Sequence, residues 1–364
     1  MVPVPSVVEF MRATRFEHEW LSESFVAESQ RLVVNERSRK HHYVPQMYLD
    51  RWAVNGLVQP VQVDSGQMHR PQPPHEVAHE KNFYSLPSTV STMSTPLKWI
   101  EKHLSRIEGT CARHLGELEK WGAGVVSDPA LKSDLAVFLG LQITRTVSSR
   151  ERALVLVKGP DGAKREYLEL LGLDSAEIDE SMNNRQPDPK HEALDLMLKD
   201  VQNVTARGLY LREWALYRTA SPLVTCDDPV VLLAGSGKSR TSAQVVGSSA
   251  VALYPLNPRQ VLVMLAPGLH HRGPYLLDAA ETAALNVEIV AAATKTTFER
   301  PGDDIAAGIT VPPWPERDEL DDETAAQLSA HEALKVLLDA VTPRTRWTDS
   351  AAAPAWPVPR WYGH

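Results

Sequence analysis

The spacing of apolar residues divides this chain into a helical first half and a strand-rich second half. Between Pro96 and Trp121, Leu97, Ile100, Leu104, Ile107, Cys111, Leu115 and Leu118 recur at steps of three and four, which predicts a long amphipathic helix. Leu131, Leu135, Phe138, Leu139 and Ile143 predict a second helix from Pro129 to about Val157, ended by Gly159-Pro160-Asp161-Gly162. Less regular patterns predict helices from Ser6 to Val34, from Lys164 to Leu171 and from Pro189 to Ala206. A short one runs from Pro45 to about Trp52, with the proline in the first turn, where its missing N–H costs nothing. Leu57–Val63 reads as a strand that turns at Asp64-Ser65-Gly66 into Gln67-Met68-His69.

After residue 207 the pattern changes. Leu209–Thr219, Leu223–Thr225, Val230–Leu233, Ala250–Tyr254 and Val261–Leu265 are β-branched or apolar runs separated by turn residues, which predicts an antiparallel sheet. A helix from Leu277 to about Phe298 covers it, followed by a proline-rich loop and a helix from Glu319 to Leu338. The fold class is therefore α+β, with a mostly helical N-terminal half and an antiparallel sheet with flanking helices in the C-terminal half. The organisation expected is an N-terminal helical extension (1–40), a core (41–300) that is helical to about 206, and a C-terminal segment (301–364). The patterning leaves open whether the two halves are separate domains or share one core. The last stretch, Pro354 to Tyr362, is rich in proline and tryptophan and is expected to dock on the body through its aromatics.

Composition narrows the function. Apolar residues make up 43% and charged residues 23% of the 364, as in a globular protein able to bury a sizeable core. A formal charge of −8 argues against a sequence-blind nucleic-acid coat, although a local arginine cluster can still hold phosphate. Two cysteines, Cys111 and Cys226, exclude a disulfide scaffold and a cysteine-rich zinc site. There is no basic head followed by an apolar run, and no stretch long enough to span a bilayer. A cytoplasmic location with no membrane partner is expected.

The densest chemistry lies in His41-His42-Tyr43-Val44-Pro45-Gln46-Met47-Tyr48-Leu49-Asp50-Arg51-Trp52. This block resembles the His-Tyr-Val-Pro-x-x-Tyr-Leu signature of a mainly bacterial family, domain of unknown function 4238. Shorter matches extend the resemblance. They are Glu80-Lys81-Asn82-Phe83-Tyr84, Ile100-Glu101 with Ile107-Glu108, Gln142 with Arg145 and Arg150, Thr225-Cys226-Asp227-Asp228-Pro229-Val230, Tyr254-Pro255-Leu256-Asn257-Pro258, and Asn286. Together they span roughly His41 to Glu299. Trp52 departs from the phenylalanine more usual there. The resemblance implies positions and no reaction.

Each motif has a structural reading beside its chemical one. His42 could brace the short helix with Tyr43 and Tyr48 as core aromatics, or act as general base or metal ligand, with Asp50 close to the same face. His41 is expected to be solvated. Gln142, Arg145, Arg150 and Arg152 are expected on one helix, either gripping phosphate or pairing with Glu101 and Glu108. Asp227 and Asp228 could stabilise a turn or hold a hard divalent cation. His75-Glu76-Val77-Ala78-His79 matches the His-Glu-x-x-His of zinc peptidases, with Glu101 as a further ligand, but Pro71, Pro73 and Pro74 leave no room for the preceding helix. Gly235-Ser236-Gly237-Lys238-Ser239 mimics a phosphate loop, yet Leu232 stands where its first glycine is required.

These residues fit a phosphodiester hydrolase best, a nuclease-like effector of the toxin or phage-defence kind acting on nucleic acid or a nucleotide. Its catalytic set would be His42, Tyr43, Asp50, Asp227 and Asp228, and its substrate-binding set Gln142, Arg145, Arg150, Tyr48 and Lys81. The candidate cofactor is a divalent metal (Mg²⁺, Mn²⁺ or Zn²⁺). The alternatives are a zinc peptidase built on His75, Glu76 and His79, and a non-catalytic anion-sensing or interaction module.

Overall fold

A computed structural model describes residues 16–33, 40–85, 98–170, 173–183, 188–235, 238–240, 244–315, 328–348, 350 and 353–362. In chain order its helices are α1 (Glu23–Arg31), α2 (Gln46–Leu49), α3 (Trp99–Trp121), α4 (Pro129–Thr144), α5 (Val147–Lys158), α6 (Asp161–Leu170), α7 (Ser175–Asn183), α8 (Pro189–Asp200), α9 (Ala206–Tyr210), α10 (Ala279–Ala292) and α11 (Ala330–Val341). The strands are β1 (Lys40–His42), β2 (Gln59–Gln62), β3 (His79–Lys81), β4 (Gly124–Val126), β5 (Glu213–Thr219), β6 (Thr225–Cys226), β7 (Val231–Leu233), β8 (Val251–Asn257), β9 (Gln260–Leu265), β10 (Leu276–Leu277) and β11 (Thr296–Glu299). The α+β class is as the pattern predicts. Of the Ser6–Val34 and Glu319–Leu338 helices, residues 6–15, 34 and 319–327 lie outside the described residues.

The main sheet runs β5-β9-β8-β7 in antiparallel pairs. Antiparallel β4 and parallel β10 also pair with β5. Successive residues of a strand point to opposite faces, and here both faces are covered. Trp214, Leu216, Ala252, Tyr254, Leu262 and Met264 pack in one core with the α3 and α4 stripes (Leu104, Ile107, Leu135, Phe138). Their neighbours Ala215, Tyr217, Leu253, Val261 and Val263 pack in a second core with Leu285 and Ile289 of α10. The helical half thus shares its core with one face of the sheet. The tail docks on the other: Trp361 is buried with its ring 5.6 Å from that of Tyr217, and Arg240 stacks 3.9 Å over Trp356.

The signature helix belongs to the first core. Tyr48 is fully buried, donating to the Pro255 carbonyl (2.8 Å) and accepting from the Thr225 hydroxyl (2.6 Å), while Trp52 Nε1 donates to the Leu223 carbonyl (3.3 Å). Tyr48 is therefore a strut between α2 and the sheets, and its hydroxyl is engaged on both sides.

Two expected helices divide. The Pro129–Val157 helix breaks at Arg145 (φ −95°, ψ 2°), and Thr146 turns extended to cap α5, its Oγ1 accepting from the Ser149 amide (3.4 Å). A threonine hydroxyl there competes for backbone donors and restarts the helix on a new axis. Gln142 and Arg145 consequently end α4, whereas Arg150 and Arg152 belong to α5. The Leu277–Phe298 helix stops at Ala292, and Thr296, Thr297 and Phe298 pair instead between β2 and β6 as β11. Their β-branched and aromatic side chains suit a strand.

Candidate functional site

β1 and β3 pair antiparallel, which sets His42 opposite His79 with ring centroids 5.4 Å apart. Both nitrogens of His42 are engaged: Nε2 lies 3.2 Å from the His75 carbonyl, and Gln46 Nε2 lies 3.1 Å from Nδ1. Burial lowers its pKa to about 4, only partly offset by the His75 hydrogen bond. Through these contacts His42 braces β1 against the His75 turn and α2. His41 is buried rather than solvated, with Nδ1 accepting from the Tyr84 amide (2.9 Å) and its ring stacked on Tyr84. Asp50 is exposed at the end of α2, and Lys81 is exposed on β3 opposite Lys40.

The His-Glu-x-x-His segment is not a helix. His75 and Glu76 lie in a single 3₁₀ turn and His79 on β3. Glu76 pairs with Lys40 (2.5 Å), and the side chain of His75 is 61% exposed. Among the described residues no three His, Cys, Asp or Glu side chains converge as a metal site. The helical face that a zinc peptidase requires is therefore not formed, and that reading is withdrawn.

Asp227 and Asp228 are adjacent yet differently employed. Asp227 Oδ1 accepts from the Thr294 amide (2.7 Å), and Oδ2 from the Lys295 and Thr296 amides (2.8 and 3.0 Å), tying β6 to the entry of β11. Burial and the charge of Asp228 raise its pKa to about 7, against the pull of those three amides. Asp228 is half-buried and faces a cleft of about 1860 Å³. Its Oδ2 accepts from the hydroxyls of Ser148 (2.7 Å) and Thr294 (3.2 Å). Burial raises this carboxyl too, while Ser148 and then Arg152 hold it down.

The same cleft is lined by Arg145, Arg150, Arg152 and Asp200. The guanidinium of Arg145 is 1% exposed and pairs through Nη1 with Glu108 (2.6 Å), but Nε and Nη2 meet no hydrogen-bond partner among the described residues. Burial opposes its charge, and Glu108, Tyr84 and Glu101 outweigh it to raise the pKa. Arg212, also buried, differs: both its Nη nitrogens donate to carbonyls, those of Val246, Ser249, Ala250 and Met264, and it is structural. Arg150 lies 4.2 Å over the Phe83 ring and 3.7 Å from Glu80. Arg152 donates to Ser149 Oγ (2.8 Å) and interacts with Asp228 and Asp200; burial brings Asp200 up to about 6. Gln142 is fully buried, and neither of its amide atoms has a hydrogen-bond partner among the described residues.

The cleft therefore brings together Arg145, Arg150 and Asp228 from the expected set, and adds Ser148, Arg152, Asp200 and Thr294. His42, Tyr43, Tyr48, Asp50, Lys81, Gln142, Asp227, His75 and His79 are not among its lining residues. Tyr43 stands close by: its ring is 6.0 Å from Phe83, and burial, then Asp227, Glu80 and Asp228, push its hydroxyl above the usual range. Ser148 carried one legible signal, its place in the Thr146-Val147-Ser148-Ser149 run that restarts a helix.

The family model described as protein of unknown function (DUF4238) matches residues 40–303, and the chain belongs to that family. No curated protein and no solved structure matches. No helix among the described residues is long and apolar enough to cross a membrane.

Proposed function

We propose that the protein is a phosphodiester hydrolase whose active centre is the Asp228 cleft. The observation that carries this reading is the gathering of Arg145, Arg150 and Arg152 in one cleft with a carboxylate that already accepts a hydroxyl from Ser148. Guanidinium groups suit the non-bridging oxygens of a phosphoryl group, and stabilising charge there is the main task in phosphoryl transfer. Asp228 takes the proton of the attacking oxygen, the task first given to His42. Beside further charged residues (Glu151, Lys158, Lys199, Glu288 and Arg344), the lining includes the apolar and aromatic Leu156, Met197, Val246, Trp314 and Trp347, which suit the exposed bases of a splayed single strand or a small diester better than a duplex. The formal charge of −8 makes capture local rather than steered from a distance.

The test is hydrolysis of bis(4-nitrophenyl) phosphate and of labelled single- and double-stranded DNA and RNA, each in EDTA and with Mg²⁺ or Mn²⁺. Single-stranded or small substrates are expected to be cut, with cleavage surviving EDTA. Arg152→Ala should lower kcat/KM by roughly 10²-fold, the scale of losing one charge-stabilising donor. No cleavage of any substrate overturns the reading. A rise in melting temperature with diester but no product would assign the arginines to an anion sensor instead.

A further inference from the structure

We propose that Ser148 is a catalytic nucleophile, attacking the phosphorus directly with Asp228 as its base. The substrate class rests on the phosphodiesterase reading above; the residue rests on geometry. Three hydroxyls stand at the start of α5, and two are occupied with the helix break. Thr146 Oγ1 accepts from the Ser149 amide (3.4 Å), and Ser149 Oγ donates to the Ile143 carbonyl (2.7 Å) while receiving Arg152 (2.8 Å). Ser148 caps no backbone amide. Its hydroxyl donates to Asp228 Oδ2 at 2.7 Å, within the cleft, and lies 3.2 Å from the Thr146 hydroxyl, which can donate to it.

A working nucleophile needs a base within hydrogen-bond reach and a further group that orients the base. Thr294 is the positioning residue. Its hydroxyl donates to the same Asp228 oxygen (3.2 Å), its amide is held by Asp227 (2.7 Å), and its carbonyl accepts from Trp314 Nε1 (3.3 Å). Arg145, buried and with Nε and Nη2 lacking hydrogen-bond partners among the described residues, lines the cleft as a donor for the charge that builds on phosphoryl oxygen.

The reaction balances in two displacements. Ser148 Oγ forms a bond to phosphorus, its proton passes to Asp228, and the bond from phosphorus to one ester oxygen breaks; Asp228 returns the proton to the departing alcohol. Water then attacks the phosphoserine and gives a proton to Asp228. The bond between phosphorus and Oγ breaks, and the serine hydroxyl recovers that proton. The net change is diester plus water to monoester plus alcohol.

Diisopropyl fluorophosphate tests this on the full chain, because the same attack expels fluoride and leaves a stable adduct. Intact mass should show one adduct per chain, mapped to the peptide containing Ser148, absent in Ser148→Ala and formed at least ~10²-fold more slowly in Asp228→Asn. Melting curves of both variants show whether each is folded. An adduct on Ser148 upholds the nucleophile even if no diester is cut, and then the substrate class is at fault. Absence of an adduct overturns the nucleophile; if wild type nevertheless cuts diesters, the phosphodiesterase reading stands with water as the attacking oxygen.

Discussion

Replacing Asp228 with asparagine lowers turnover by roughly 10²–10⁴-fold, the usual contribution of a positioned general base, and leaves the fold intact. Asparagine keeps the size of the side chain and one carbonyl oxygen, so the hydroxyls of Ser148 and Thr294 retain an acceptor. What disappears is the ability to take a proton. A second consequence concerns Asp227, whose pKa is raised first by burial and second by the Asp228 charge. The folded pKa lies above the unfolded value, so this group's contribution to stability is full below about 3.8 and is lost as pH rises towards about 7. Removing the Asp228 charge lessens that loss. The melting temperature of Asp228→Asn should therefore gain on wild type as pH is raised from 4 to 7. A steady-state assay and melting curves across that range check both statements.

Asp227→Ala should damage the fold itself. Three backbone amides, of Thr294, Lys295 and Thr296, lose their acceptor in a position 5% exposed. Each stranded donor costs about 1–3 kcal/mol, so the sum is a large share of the roughly 5–15 kcal/mol that stabilises a typical domain. A melting temperature lower by more than about 10 °C, or no cooperative transition, is the expected result. An unchanged transition would mean that the amides find other acceptors. The contrast between two neighbouring aspartates separates scaffold from chemistry, since Asp227 also fixes the Thr294 backbone whose hydroxyl holds Asp228.

Much of the fold was legible because its elements bury one continuous stripe or face. The α3 spacing from Ile100 to Leu118 and the apolar runs of β8 and β9 leave little alternative. Arg145 and Thr146 were harder, since apolar periodicity continues through them and only the threonine cap marks the break. β11 hid inside a helical pattern because Ala291, Ala292 and Ala293 continue the α10 stripe into Thr294-Lys295-Thr296-Thr297. The site was partly legible. Residue type picked out Arg145, Arg150 and Asp228, whose side chains meet only through the crossing of α4, α5 and the β6–β7 turn. His42 was the attractive base because imidazole titrates near neutrality, but its contacts with His75 and Gln46 and its place outside the arginine-lined cleft are set by the β1–β3 pairing, which residue type does not reveal. Apart from its place in the Thr146–Ser149 run, Ser148 gave no sign in the sequence; its hydroxyl matters through the carboxylate it meets from 80 residues away.

The most direct test of the cleft as a phosphoryl site is a crystal structure of the wild-type protein soaked with orthovanadate, a mimic of pentacoordinate phosphorus. Vanadium within bonding distance of Ser148 Oγ, its oxygens in hydrogen-bond reach of Arg145, Arg150 or Arg152, is the predicted result. Vanadate bound only elsewhere on the protein, with the Asp228 cleft empty, would contradict the account.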